Sequence, residues 1–419
     1  MMGWSRRGYS ALITALLPVI MHRLKREHTT GLPWSERFGR VQTQHTEGVW
    51  IHCASVGEVI AAEPLIHELQ DAHPDTPIVI TTMTATGAAQ VHKRFPDVEH
   101  HVLPIDLLTW ARRFIAQLKP RLAILMETEL WPNLMLACEQ AQVPVVVANG
   151  RMSAKSLAGY QRLPRLMHET LQKVSALAAR DAEDAQRFVQ LGLPEERVTL
   201  CGSIKFDAHV DASQASAGQA LKAQWGTRPV WVAASTHDGE ETLLLETHRL
   251  LLQQHPDCLL VLVPRHPQRF DEVAALITAA DMTMARRSQD EPVVAETQVY
   301  LGDTMGELMS LLAAADMVFM GGSWIEVGGH NLLEPAVLGK PLASGPALFN
   351  FQDVADRLQA ADALDIVDNP DDLARCLRAW IELPAQAQQR GQAAAAVVEA
   401  NRGALKRQLA VIEPYWPTA

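Results

Sequence analysis

Nine short apolar runs, each closed by a polar or glycine-rich turn and followed by a helical pattern, constrain this chain most. They are VWIHCAS, PIVITTMT, LAILMET and VPVVVANG, then PVWVAAS, CLLVLVPR, QVYLGD, MVFMGGS and PLASGP. Strands that alternate with helices are joined by crossovers, so they lie parallel with helices on both faces of the sheet. Runs that are apolar at every position, not at every second one, agree with burial on both sides. The series stops at GSIKFDAHVDASQASAGQALKAQW, which is polar and rich in small residues, and restarts at Pro229. The expectation is an α/β chain of two doubly wound, Rossmann-like domains facing a cleft. Residues 28–207 would form the first, 208–228 a linker and 229–395 the second. Residues 396–419 would be a terminal helix packing back on the first.

With 419 residues and 48% apolar composition, the chain can bury cores of that size. A formal charge of −11 argues against a broad nucleic-acid surface, which needs a basic excess. The five cysteines are odd in number and contain no C-x-x-C pair, so neither a zinc site nor a disulfide framework is expected, and a reducing cytosol fits. Residues 1–27 are less ordinary. The run GYSALITALLPVIM is bracketed by Arg6 and Arg7 on one side and by Arg23, Lys25 and Arg26 on the other. Its apolar part is well short of the roughly 20 residues of a spanning helix. HRLKREH stands where a signal peptide would carry a small-residue cleavage site. The run reads as a membrane-surface anchor, each flanking cation contributing about 1 kcal/mol on anionic lipid. The alternative is an ordinary helix buried against the next domain.

In doubly wound sheets ligands bind beyond the carboxyl ends of the strands, so the residues there carry the functional reading. In the second half WVAAS, which ends at Ser235, leads to Thr236 and His237, and LLVLV leads to Pro264, Arg265 and His266. QVYLG leads to Asp303 through Glu307, and MVFM to GGSWIEVGGHNLLEP, with four glycines in fifteen positions. Gly328 and Gly329 are expected to leave bare amides before a helical run NLLEPAVLG, as a phosphate site requires. Asn331 would cap that helix or hold the phosphate, and Glu334 would meet a ribose diol; alternatively the two form only a capping box. In the first half HCASVGE places Glu58 in the opening turn of a helix with apolar positions 59, 60, 65, 66 and 69. METELWPNL places Glu127 and Glu129 after another strand, ANGRMSAKS places Arg151, and GSIKFD places Lys205. No Asp-x-Asp triplet of the kind that holds a nucleotide's divalent ion is present.

The segments HCASVGE, METELWPNL, GSIKFD, VPRHPQRF, GDTMGEL and GGHNLLEP resemble, in order and spacing, the bacterial 3-deoxy-D-manno-octulosonic acid (Kdo) transferases. The resemblance implies a GT-B glycosyltransferase that uses CMP-Kdo to glycosylate the tetraacyl disaccharide precursor of lipid A at the inner face of the cytoplasmic membrane. It implies no cofactor, and no metal, because the leaving group is a monophosphate. It implies Glu58 as general base, ionised near its ordinary pKa of about 4.3 and kept so by the helix start. Cytidine-nucleotide contacts would be Pro264, Arg265, Met305, Gly306, Glu307, Asn331, Leu332, Leu333 and Glu334. Lys205 or Arg151 would meet the Kdo carboxylate, with Ser235 and Glu127 as further candidates. Leu332 stands where the family commonly has proline, and Ala347-Leu348 where it has His-Thr. From the residues alone, a UDP-sugar transferase or epimerase of the same fold, or a non-catalytic nucleotide-binding protein at a membrane surface, stays open.

Overall fold

A computed structural model describes residues 6–27, 32–207 and 211–417. The first five positions of the expected anchor, and residues 208–210 of the expected linker, lie outside the described residues. The chain divides into two compact units, one of residues 1–207 and 402–419, the other of residues 208–401.

In the first unit β1 (Val49–His52), β2 (Ile78–Thr82), β3 (Glu99–Val102), β4 (Leu122–Met126), β5 (Val145–Gly150), β6 (Ala176–Ala179) and β7 (Val198–Leu200) form one sheet in the order β3-β2-β1-β4-β5-β6-β7. In the second, β8 (Val230–Thr236), β9 (Leu259–Pro264), β10 (Met284–Arg286), β11 (Val299–Leu301), β12 (Met317–Met320), β13 (Leu342–Ser344) and β14 (Leu364–Ile366) take the order β10-β11-β9-β8-β12-β13-β14. Every pairing is parallel. Strand order reverses between β1 and β4, and again between β8 and β12. These are the switch points where such sheets bind ligands.

The continuous apolar runs have a direct cause in β1. Val49 and Ile51 pack with Val59, Leu65, Ile66 and Leu69 of the helix Val56–Ala72, while Trp50 points to the other face and meets Phe114 edge-on at a ring distance of 5.2 Å. Of the five apolar positions expected to face the core, Ile60 is exposed.

The expected linker contains a helix, Ala212–Trp225. Its small residues are there for contact: a Cβ on Gly218 would lie 2.5 Å from the Ala313 methyl, so the helix lies close on Leu308–Ala314. Trp225 meets Tyr300 edge-on at 5.3 Å. The helix Pro384–Asn401 belongs to the second unit, and the return to the first begins at Arg402, later than the expected 396. There the Asp207 carboxylate accepts the N–H groups of Gly403 and Leu405, at the start of the helix Ala404–Ile412. The fully buried Gln408 accepts from the Asn149 N–H at 2.8 Å.

The N-terminal helix Arg6–Glu27 is held on the first unit by its polar side. Arg6 and Ser10 both donate to Asn133 Oδ1, at 3.0 and 3.1 Å, and Tyr9 donates to the buried Asp106. Leu12, Leu16 and Val19 remain 41, 42 and 65% exposed. No helix among the described residues is long and apolar enough to cross a membrane.

Candidate functional site

In the first unit the sheet delivers Glu58, Glu127 and Glu129 to the switch point, since β1 and β4 are neighbours there. Ser55 caps the helix Val56–Ala72, and its hydroxyl donates to Glu58 Oε1 at 2.9 Å. The Ala54 N–H donates to Glu58 Oε2 at 2.8 Å. Glu58 is only 8% exposed, and burial with the nearby Glu129 charge outweighs those two donors: its carboxyl is pushed up to about 8. This corrects the expectation of a carboxylate at its ordinary pKa. A helix start favours the anion, but by less than the loss of water disfavours it.

Glu127 follows β4 with a left-handed φ of 58°, and its N–H reaches the Ala148 carbonyl at 3.0 Å. Glu129 accepts from the Trp131 indole at 2.7 Å. Behind it stands His52, fully buried, with Nδ1 on Thr81 Oγ1 at 2.8 Å and Nε2 3.8 Å from Glu129. That Nε2 has no hydrogen-bond partner. Thr128 donates to the Arg151 carbonyl, tying the glutamate loop to the segment after β5. Lys205 lies in the turn Ile204–Asp207, whose Ile204 shares a core with Val59.

In the second unit the loops after four adjacent strands, β11, β9, β8 and β12, carry all the expected donor contacts. Pro264 ends β9 and is buried, while Arg265 is exposed beyond it and its N–H bonds the Thr236 carbonyl. Ser235 sits at a register shift of β8 with φ 55°, a conformation that costs a non-glycine residue about 1–3 kcal/mol. Met305 is 60% exposed on a turn whose next residue, Gly306, has φ 86°. Glu307 is gripped by Arg287 through two bonds of 3.0 and 2.7 Å, which hold its carboxyl below the usual range. Asp303 is held likewise by Arg286 at 2.7 Å and Ser288. Glu334 is pushed up by burial, opposed by Asn331 and Arg265.

The glycine segment differs from its expectation. Its crowding comes from the protein's own side chains. A Cβ on Gly322 would meet the His330 ring at 2.7 Å, on Gly328 the Phe349 ring at 2.4 Å, and on Gly329 the Leu348 side chain at 2.5 Å. The amides of Gly322, Ser323 and Trp324 are taken by the buried Glu240 carboxylate at 2.7, 3.0 and 3.1 Å, and the His237 N–H joins them at 3.0 Å. The Gly329 N–H bonds the Gly322 carbonyl. The helix is a single stretch of five residues, Leu333–Val337, and Asn331 accepts from the Leu333 N–H while donating to Glu334. The local bonding is therefore that of a capping arrangement, and the segment offers little helix dipole to a phosphate. Leu332 and Leu333 are buried in the core, so any contact they make with a ligand is through the backbone. Leu332 adopts φ −64°, the value that a proline would have imposed.

Sequence reasoning passed over Glu240, His52, Arg286 and Arg287. The glutamate pair in HDGEE was visible, but nothing in its spacing tells that it reaches a loop some eighty positions later. Among the described residues, no group of three or more His, Cys, Asp or Glu is arranged to hold a metal ion.

Residues 33–208 match the family profile described as 3-Deoxy-D-manno-octulosonic-acid transferase (kdotransferase). A 3-deoxy-D-manno-octulosonic acid transferase of Haemophilus influenzae is 40% identical over 381 residues, covering 90% of this chain and 89% of that protein. The transferase of the same name from Bordetella pertussis is 37% identical over 432 residues, covering 98% and 99%. Among solved structures, the UDP-GlcNAc 2-epimerase of Neisseria meningitidis bound to UDP-GlcNAc aligns with a TM-score of 0.55 at 15% identity, over 88% of this chain and 100% of that one. At that identity the likeness is one of fold, the GT-B class, with two Rossmann-like units.

Proposed function

The chain belongs to the 3-deoxy-D-manno-octulosonic acid transferases, and on that premise we propose that it is an inverting enzyme moving Kdo from CMP-Kdo to the tetraacyl disaccharide precursor of lipid A (lipid IVA). The observation that carries the reading is Glu58: a buried carboxyl at the switch point of the first sheet, with its pKa pushed up to about 8. A base is most effective when its pKa lies near the working pH, and Glu58 meets that condition. Its carboxylate takes the proton of the acceptor hydroxyl as that oxygen attacks the anomeric carbon. The C–O bond to phosphate breaks and its electron pair leaves with CMP.

On the donor side, Arg265 is the exposed cation for the phosphate, and the 60%-exposed Met305 offers apolar surface to the cytosine ring beside Gly306 and Glu307. Pro264, Ser235 and the backbone of Asn331 to Leu333 line the same strand ends, and Glu334 reaches the ribose. Lys205 or Arg151 meets the Kdo carboxylate, with Glu127 beside the base. The monophosphate leaving group needs no metal in this reading. The helix Arg6–Glu27 lies on the cytoplasmic face of the inner membrane, its exposed Leu12, Leu16 and Val19 in the acyl boundary and its cations, Arg23 and Lys25 among them, on anionic lipid.

The test is mass spectrometry of the product formed from purified lipid IVA and CMP-Kdo, together with thermal shifts by CMP-Kdo and by UDP-sugars. A Kdo adduct that disappears in Glu58→Gln, with the CMP-Kdo shift retained, is the expected result. Stabilisation by UDP-sugars alone would reverse the choice of donor.

A further inference from the structure

Three histidines converge at the switch point of the second sheet, and the proposed chemistry above uses none of them. His237 comes from the loop after β8, His266 from the loop after β9, and His330 from the glycine segment after β12. His237 Nε2 and His330 Nε2 are 2.7 Å apart, their rings nearly parallel with centroids 5.0 Å apart. His266 stands edge-on to His237 at 5.0 Å. The contact is built into the backbone, because Gly322 at φ 67° leaves no room for a Cβ beside the His330 ring.

An N···N contact of this length needs one ring to present Nε2–H and the other a lone pair. The pair can therefore accept one more proton, at Nδ1 of the donating ring, without breaking the bond. A second would set two N–H groups against each other, so the capacity of the pair is one. A metal ion between the two nitrogens does not fit, since bonds of about 2.0–2.1 Å would hold them well over 3 Å apart.

The titratable and charged groups that face the pair are Glu240 from the helix Glu240–Leu252, and Arg265, His266 and Arg269 from the segment after β9. Glu334, one turn beyond His330, faces Arg265. Glu240 is already surrounded by four backbone N–H groups. Arg269 is taken up by Glu241, Asp238 and Glu272, at 2.6, 3.3 and 3.1 Å, so Arg265 is the main cation set against the rings. Burial first, and after it the neighbouring imidazoles and Arg265, hold both rings below the ordinary imidazole range, His330 at about 4. An anion placed against Arg265 cancels that positive charge and favours a proton on the rings beside it.

We propose that the His237–His330 pair is the proton-accepting half of an anion site completed by Arg265 and His266, and that it takes up one proton when a cytidine phosphate binds. The inference rests on the donor assignment made above, and it identifies the group recognised by the histidines as the phosphate. Donor affinity then falls as pH rises, because the proton must be drawn from an increasingly alkaline solution. CMP, with more negative charge than the phosphodiester it leaves, is held more tightly in the same protonated site.

The experiment is isothermal titration calorimetry of the full chain with cytidine 5′-(methyl phosphate), whose single charge does not change between pH 5.5 and 8.5. Titrations in two buffers of different ionisation enthalpy count protons. The expected result is uptake approaching one proton per ligand within this range, with Kd rising by up to about tenfold per pH unit where uptake is greatest. His330→Gln, which keeps an N–H donor but cannot be protonated, should still bind and lose both the uptake and the pH dependence; His237→Gln is the second variant. Binding by the wild type with no proton uptake overturns the inference and leaves the donor assignment intact. Uptake that persists in both folded variants overturns its assignment to the pair. Binding of uridine phosphates with none of cytidine phosphates overturns the donor assignment, and the inference with it.

Discussion

Glu58 and Glu129 stand beyond the carboxyl ends of the neighbouring strands β1 and β4, and the charge of Glu129 is, after burial, the main reason why the Glu58 carboxyl is pushed up to about 8. Two acidic groups at one switch point thus divide their roles through environment. Glu129 has an indole donor at 2.7 Å, whereas Glu58 is withdrawn from water between Ser55 and the sheet.

The proposed base must be ionised to accept a proton, so at saturating donor kcat/KM for the acceptor should rise about tenfold per pH unit below pH 8 and level off above it. Glu129→Gln removes the neighbouring charge and should move this rise toward lower pH, increasing the fraction of plateau activity at pH 6 by about three- to tenfold. The measurement is the shape of the profile, which is independent of any loss in absolute rate. An unchanged midpoint in the variant would show that the two carboxyls are not coupled.

The same shift appears in stability with a definite sign. Glu58 binds its proton more tightly folded than unfolded, so its favourable contribution is complete below about pH 4.5 and is lost as pH rises through about 8. Glu58→Gln has no such dependence. Its stability relative to the wild type should climb between pH 5 and pH 9 by about 1–3 kcal/mol, read as several degrees in the melting temperature. A difference that is flat across that range would contradict the raised pKa.

Glu240 accepts from the amides of His237, Gly322, Ser323 and Trp324, and so joins the loops after β8 and β12. In Glu240→Gln the amide NH2 group must face some of these donors, and each buried donor left unpaired costs about 1–3 kcal/mol. A loss of about 3 kcal/mol or more is expected, read as a fall of about 6–12 °C in the melting transition, and the thermal shift on adding donor should vanish. Glu246→Gln, an exposed change on the same helix, should stay within about 0.5 kcal/mol.

All nine apolar runs became strands, because burial on both faces of a parallel sheet writes itself into consecutive residues. The strands that sequence reasoning did not find are β3, β6, β7, β10 and β14. Four of these are edges or end strands, where EHHV, VTL, MAR and LDI face water on one side and keep no apolar pattern. Strand ends were equally legible, and Glu58, Glu129, Ser235, Arg265 and Met305 stand at or beyond the carboxyl ends of strands. What was not legible was the use of the glycines. His330 folds back on Gly322 within its own segment and Phe349 reaches Gly328 from the loop after β13, and no local pattern distinguishes a space kept for a ligand from one kept for a side chain.

The N-terminal helix gives the last prediction, and its docking decides how to test it. Deleting residues 1–27 would remove Tyr9 and Arg6 from Asp106 and Asn133, beside the loop that carries Glu129 and Trp131. Asp106, pushed up to about 6 by burial, would lose a donor there, so a drop in activity after deletion would have two causes. Replacing Leu12, Leu16 and Val19 together by glutamate leaves that polar side intact, since all three are exposed. Each buried apolar side chain contributes about 1.5–3 kcal/mol at a membrane interface, so the triple variant should lose at least a hundredfold in affinity for vesicles containing anionic phospholipid. Transfer to an acceptor dispersed in detergent should persist. Cosedimentation at the wild-type level would remove this face from the membrane and leave the helix with only its docking to the first unit.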